Sequence, residues 1–170
     1  MDKVVNVVKI PIIVILTFAA QIFISNRFEI FGVTPNIILV TVVIVAMWNR
    51  LFVNLCVAAI MGIFADLIFH FDLGVSGIGY VVISLCISSI SVRYRKESKA
   101  AIIYITAIAT CIFTLFQVIY YVIDNVEMIN LFYIFKQTII EILLNIAVAY
   151  VLYKIFEKSM KEDVLNSVYR

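Results

Sequence analysis

The stretch GIFADLIFHFDLGVSG, residues 62–77, decides how the rest of the chain is read. It opens inside a long apolar run, sets Asp66 among Phe64, Ala65, Leu67 and Ile68, and then breaks into a glycine-rich loop. A charged side chain within hydrocarbon costs at least ~2.5 kcal/mol on insertion scales, so it turns toward the interior of a bundle and marks a candidate functional position. The stretch reads as the end of one membrane helix, an outer loop and the start of the next. Asp66 then has two readings. It snorkels into headgroup water, or it accepts hydrogen bonds from backbone N–H groups that Gly74, Ser76 and Gly77 bring near. The second reading makes Asp66 an organising residue that ties the end of one span to the start of the following one.

Composition extends the membrane reading to the whole chain. The 170 residues are 65% hydrophobic and 14% charged, with mean hydropathy +1.14. A soluble domain is about 45–50% apolar and about 25% charged. No linker, repeat or low-complexity segment divides the chain, so one integral membrane domain is expected. At about 1.5 Å per residue, some 20 residues cross a hydrocarbon core of about 30 Å. Six apolar segments meet or approach that length: about 7–25, 34–49, 51–70, 77–93, 100–123 and 131–156. Pro35 suits the first turn of the second. The expected fold is an all-α bundle of six transmembrane helices over residues 1–156, followed by a tail, 157–170, that continues the last helix into the cytoplasm. The basic, apolar N-terminus imitates a signal peptide, but the apolar pattern continues, so an uncleaved first span is expected.

Charge placement orients the bundle. Lys3, Lys9, Arg50, Arg93, Arg95, Lys96, Lys99, Lys154, Lys158, Lys161 and Arg170 fall on one side of the six spans. Only Arg27 and Lys136 fall on the other, where Glu29, Asp72, Asp124 and Glu127 dominate. The positive-inside rule puts both termini in the cytoplasm.

Polar and small residues recur within the spans at helical spacing, where positions three or four apart share a face. The stripes are Thr17 and Gln21; Ala58, Gly62 and Asp66; Ser84, Ser88 and Ser91; Thr106, Thr110, Thr114 and Gln117; and Gln137, Glu141, Asn145 and Ala149. Lipid offers no hydrogen bonds, so these side chains face other helices, and small residues let backbones approach closely. The stripes serve as packing contacts, or they line a cavity or partner groove. Glu141, nearer mid-membrane than Asp66, is either an interhelical contact or a group with an ion or proton role.

Motifs of catalysis are missing from the sequence: it holds no HExxH, GxSxG or phosphate-binding glycine loop. His70 beside Asp66 and Asp72 falls short of the convergent ligands a metal needs. Cys56, Cys86 and Cys111 stand singly and are expected to be small buried hydrophobes. Neither enzyme activity, a metal or cofactor, nor nucleic-acid binding is expected.

From Pro35 to about Ser89 the chain resembles the MreD family of bacterial rod-shape-determining membrane proteins. Pro35 and Asn36 match that family's Pro followed by a polar residue, with Asn in place of the commoner Asp. Gly62 and Asp66 match its small-residue helix ending Gly-x-x-x-Asp, and Leu73 and Gly74 match its Leu-Gly loop. Val75 replaces the usual small residue after that loop, and the frequent Pro before Leu is missing. The resemblance implies a non-enzymatic, multi-pass subunit of the cell-elongation machinery in the bacterial cytoplasmic membrane. Its implied direct partner is MreC; MreB, RodA and a class B penicillin-binding protein are complex-level partners, with membrane lipid around it. Pro35, Asn36, Ala58, Gly62, Asp66, Leu73, Gly74 and Gly77 become the structural or partner-site candidates. Gln21, Gln117, Gln137, Glu141 and Asn145 become the polar interior. The family is thought to share the fold of S components of energy-coupling-factor vitamin transporters, which makes such a component the alternative reading. Those proteins commonly carry an Ala-x-x-x-Ala docking pattern in the first span, where this chain has adjacent Ala19 and Ala20.

Overall fold

Six helices fall on the six apolar segments: α1 (Lys9–Ser25), α2 (Ile37–Trp48), α3 (Leu51–Phe69), α4 (Val75–Ser91), α5 (Lys99–Ile123) and α6 (Leu131–Val168). The computed structural model describes residues 9–48, 51–69, 74–91, 99–123 and 131–168; Leu73, His70 and Asp72 lie outside them. Helix α6 runs on well past its apolar part, which ends at Ile155, as far as Val168.

Among the described residues, three helices are long and apolar enough to cross a membrane by length and composition: Leu51–Phe69, Ala100–Tyr120 and Phe132–Ile155, with mean hydropathies of 2.3, 2.2 and 1.8. The apolar parts of the other three, Pro11–Ser25, Ile37–Met47 and Val75–Ile90, are shorter. The outer faces carry large exposed apolar side chains, among them Leu16, Phe64, Leu67, Leu115, Leu143 and Val151. A water-soluble protein would not leave such a surface bare, whereas lipid solvates it.

The shortest helix is the centre. Every residue of α2 from Ile37 to Met47 is buried, and α2 touches each of the other five helices. At about 1.5 Å per residue it is only ~18 Å long. Its sequence, IILVTVVIVAMW, is apolar all round apart from Thr41, as suits a helix enclosed by others. Pro35 stands outside the first turn, contrary to the sequence expectation. Asn36 is the cap instead: its carbonyl accepts from Val40 N–H at 3.1 Å and its Oδ1 from Leu39 N–H at 2.9 Å. An Asn side chain satisfies an orphan N–H at this position, so the proline is displaced to the residue before the cap.

The three cysteines are not buried. Cys56, Cys86 and Cys111 are free and exposed on the outer helix faces. The expectation assumed that an apolar side chain must go inside. Against lipid the outside is apolar too, and a thiol is at home there.

Helices α3 and α4 make the closest approach. A Cβ added to Gly62 would sit 2.7 Å from Gly77 N and 2.9 Å from the Ser76 carbonyl carbon, and closer still to Gly77 Cα. The two backbones are in direct contact, and only glycine at position 62 allows it.

Candidate functional site at the heads of α2 and α4

Two polar clusters hold the end of the bundle where α1, α3 and α5 finish and α2, α4 and α6 begin. The first is built on Asp66, which is 1% exposed. Gly74 N–H donates to its Oδ2 at 2.8 Å, Ser76 N–H to its Oδ1 at 3.1 Å, and Gly77 N–H to its Oδ2 at 3.4 Å. The first N–H groups of a helix have no partner within it. Here a carboxylate from the preceding helix supplies one, and its charge faces the positive end of the α4 dipole. Gly74 turns the chain into α4 at φ +102°, a conformation other residues rarely adopt. The backbone-amide reading of Asp66 is the one the geometry matches. The Ala58–Gly62–Asp66 stripe, all buried, forms the α3 side of this contact.

The second cluster surrounds the start of α2. Gln21 of α1 bridges it: Oε1 accepts from Ile37 N–H at 2.6 Å, while Nε2 donates to the Pro35 carbonyl and to Ser25 Oγ, each at 3.0 Å. Asn36 N–H donates to Asn145 Oδ1 of α6 at 2.7 Å, and Tyr80 of α4 donates its hydroxyl proton to Asn36 Oδ1 at 3.2 Å. Asn145 Nδ2 donates in turn to Thr110 Oγ1 of α5 at 3.1 Å. Side chains from α1, α4 and α6 thus converge on three consecutive residues, Pro35, Asn36 and Ile37, and Thr110 of α5 braces Asn145. Deeper in the bundle, Thr17 and Thr41 hydroxyls meet at 3.2 Å, and Asn54 Nδ2 donates to the Ala46 carbonyl at 3.1 Å and to Ser88 Oγ at 2.9 Å.

Gln117 and Gln137 stand apart from these clusters, and Glu141 joins the second only through Asn145. They line a cavity of about 260 Å³ beside the head of α2, together with Gln21, Asn36 and Tyr80. The stacked rings of Tyr80 and Phe113, 4.8 Å between centroids, belong to the same wall. Among the described residues no group of three or more His, Cys, Asp or Glu side chains is placed to hold a metal ion.

The sequence stripes therefore divide. Gln21, Asn36, Asp66 and Asn145 lie at the centres of hydrogen-bond clusters, and Pro35 lends its carbonyl to one. Gly62, Gly74 and Gly77 are backbone contacts of the α3–α4 junction, whereas Gln117, Gln137 and Glu141 face the cavity. Tyr80 and Asn54 were missed by sequence reasoning, whereas Thr110 stood in the α5 stripe. Asn54 is a polar residue inside an apolar helix, a signal available in principle. Tyr80 gave none, because an aromatic next to a loop also reads as an interfacial anchor.

A family model described as rod shape-determining protein MreD matches residues 1–162, nearly the whole chain. The chain belongs to the MreD family. No curated protein and no solved structure matches it. As an MreD-family member it is a rod-shape-determining membrane protein, and its long apolar helices are those of such a family. The match extends far beyond residues 35–89, where the family's motifs are recognisable, and takes in α5 and most of α6, which carry Thr110 and Asn145.

Proposed function

We propose that this MreD-family chain is a non-enzymatic, six-span subunit of the cell-elongation machinery in the bacterial cytoplasmic membrane. Both termini are cytoplasmic, residues 1–156 form the membrane domain and 157–170 a cytoplasmic tail. The chain binds MreC directly and so helps couple MreB filaments to peptidoglycan synthesis by RodA and a class B penicillin-binding protein. The family match over residues 1–162 carries this reading. The eleven-to-two charge bias supports the orientation. The short, buried helix α2 fits a six-span bundle in which one helix shelters behind the others and does not meet the full lipid thickness.

The arrangement suits a scaffold. Its buried polar groups are largely spent on one another and on helix ends, which fixes helix positions. A rigid apolar exterior of that kind can present a constant surface to another membrane helix. In lipid such docking rests on close packing and interhelical hydrogen bonds, since burial from lipid gains nothing comparable to burial from water. The test is co-expression with MreC. A tag on this chain should recover MreC at a fixed ratio through size exclusion in mild detergent. Monodisperse, folded chain free of MreC would contradict the proposal.

A further inference from the structure

Two voids in the bundle differ in kind. One, of about 400 Å³ between α4 and α5, is walled almost wholly by apolar side chains such as Ile83, Ile87, Ile108 and Ile112. Acyl chains fill a groove like that without any specific recognition. The other is the cavity of about 260 Å³ beside the head of α2, and its walls are mostly polar. It is close to the ~300 Å³ at the small end of ligand pockets, and larger than the ~150 Å³ apolar cavity that takes up benzene. Cavities that stay empty are apolar; a polar one in a membrane bundle holds water or a ligand that returns its hydrogen bonds.

The polar atoms left over after the bundle is assembled define that occupant. Gln21 is committed at both amide ends to the head of α2, and Asn36 to its own helix and Tyr80. Glu141 receives a hydrogen bond from Asn145 one turn on, and a carboxylate has several further acceptor positions. Gln137 gives its Nε2 to Tyr133 at 2.8 Å, which leaves its carbonyl oxygen as an acceptor. The Tyr80 hydroxyl has spent its proton on Asn36 and keeps its lone pairs. The lining thus offers one carboxylate and several acceptors, with the Ser25 and Thr34 hydroxyls and the Gln117 amide able to donate or accept, and no Lys, Arg or His is among the described lining residues. An anion there would meet Glu141 with no cation among the lining residues to compensate it. A primary ammonium brings one positive charge and three N–H donors, and the face of an aromatic wall attracts it further.

We propose that this cavity binds a primary ammonium group, carried by an aminoalkyl lipid headgroup or by a free small amine, with Glu141 as counter-ion and Gln137 and Gln117 as hydrogen-bonding walls. The full chain in lipid nanodiscs tests this. Discs of phosphatidylglycerol would be doped with equal fractions of phosphatidylethanolamine or phosphatidylcholine, which carry the same headgroup charge but differ in N–H donors. The ethanolamine lipid should raise the unfolding midpoint by several degrees over the choline lipid. Free ethanolamine added to the choline discs should give the same rise if a soluble amine is the occupant, and none if the lipid headgroup is. Glu141→Gln should abolish the difference, with at least tenfold weaker retention of the ethanolamine lipid by native mass spectrometry. If that variant fails to fold, Gln117→Ala supplies a second case, with retention expected to fall severalfold. Equal midpoints in the two lipids together with no response to ethanolamine would overturn the proposal, as would a Glu141→Gln protein that keeps the full difference.

Discussion

Replacing Asp66 by leucine removes a carboxylate that satisfies three backbone amides at the head of α4. Two of the three bonds, to Gly74 and Ser76, are of ordinary length at 2.8 and 3.1 Å, and the third, to Gly77, is long at 3.4 Å. A hydrogen bond to a charged group contributes about 1.5–3 kcal/mol, and a buried donor left unpaired costs about 1–3 kcal/mol. Water can reach Gly74, which is partly exposed, but Ser76 and Gly77 are buried and have no alternative on offer. The long bond and the exposed amide bring the expected loss to about 2–4 kcal/mol, with the lost helix-dipole attraction included in that range. For a chain of this length that lowers the unfolding midpoint by on the order of 10 °C. Asp66→Asn keeps one acceptor but points an N–H₂ group at a backbone donor, so about half the loss is expected. Circular-dichroism melts of the three proteins in one mild detergent read the series directly. The predicted order is wild type, then Asn, then Leu. A leucine variant melting within a degree or two of wild type would mean that Asp66 ties nothing, and an asparagine variant worse than leucine would refute the acceptor argument.

Gly62→Ala should lower the melting midpoint strongly, because its methyl would run into the Gly77 backbone, while Gly77→Ala should be mild, because a Cβ there meets nothing nearer than Ile63 at 3.8 Å; equal effects in melts would contradict the asymmetry. Gln21→Leu strands the buried Ile37 N–H and the Pro35 carbonyl, so a loss of about 2–4 kcal/mol is expected, whereas Gln21→Glu, which keeps the acceptor for Ile37, should lose less. For topology, single cysteines in a chain freed of its own three should react from outside at residues 72 or 126, and at 97 or 162 only after permeabilisation. Labelling of residue 97 in intact cells would reverse the orientation and the charge argument with it.

The elements legible in the sequence are those where chemistry changes along the chain. Asp66 inside an apolar run, followed by Gly74 and Gly77, announced both a helix junction and the group that closes it. Gln21 and Asn145 stood out because an amide in hydrocarbon has to be satisfied by a neighbour. The central position of α2 was not legible. Its residues are apolar on every side, and a helix enclosed by protein and one bathed in lipid share that pattern, so periodicity is silent between them. The same ambiguity misplaced the cysteines. Which helix answers which polar side chain was also hidden: Asn36, Thr110 and Asn145 are joined across more than a hundred residues by rotations about helix axes that no local spacing records. Pro35 misled for a local reason, since the adjacent Asn36 is the stronger cap.

As proposed above, this MreD-family chain works in the membrane by binding MreC. Affinity purification of the tagged chain from native membranes of the source bacterium in mild detergent, with identification of every co-purifying protein, tests it most directly. MreC is expected in a constant ratio to the chain, with recovery reduced when Asp66→Leu loosens the α3–α4 junction. Folded wild-type chain emerging without MreC, or with a transporter's energising subunits and a bound vitamin, would contradict it.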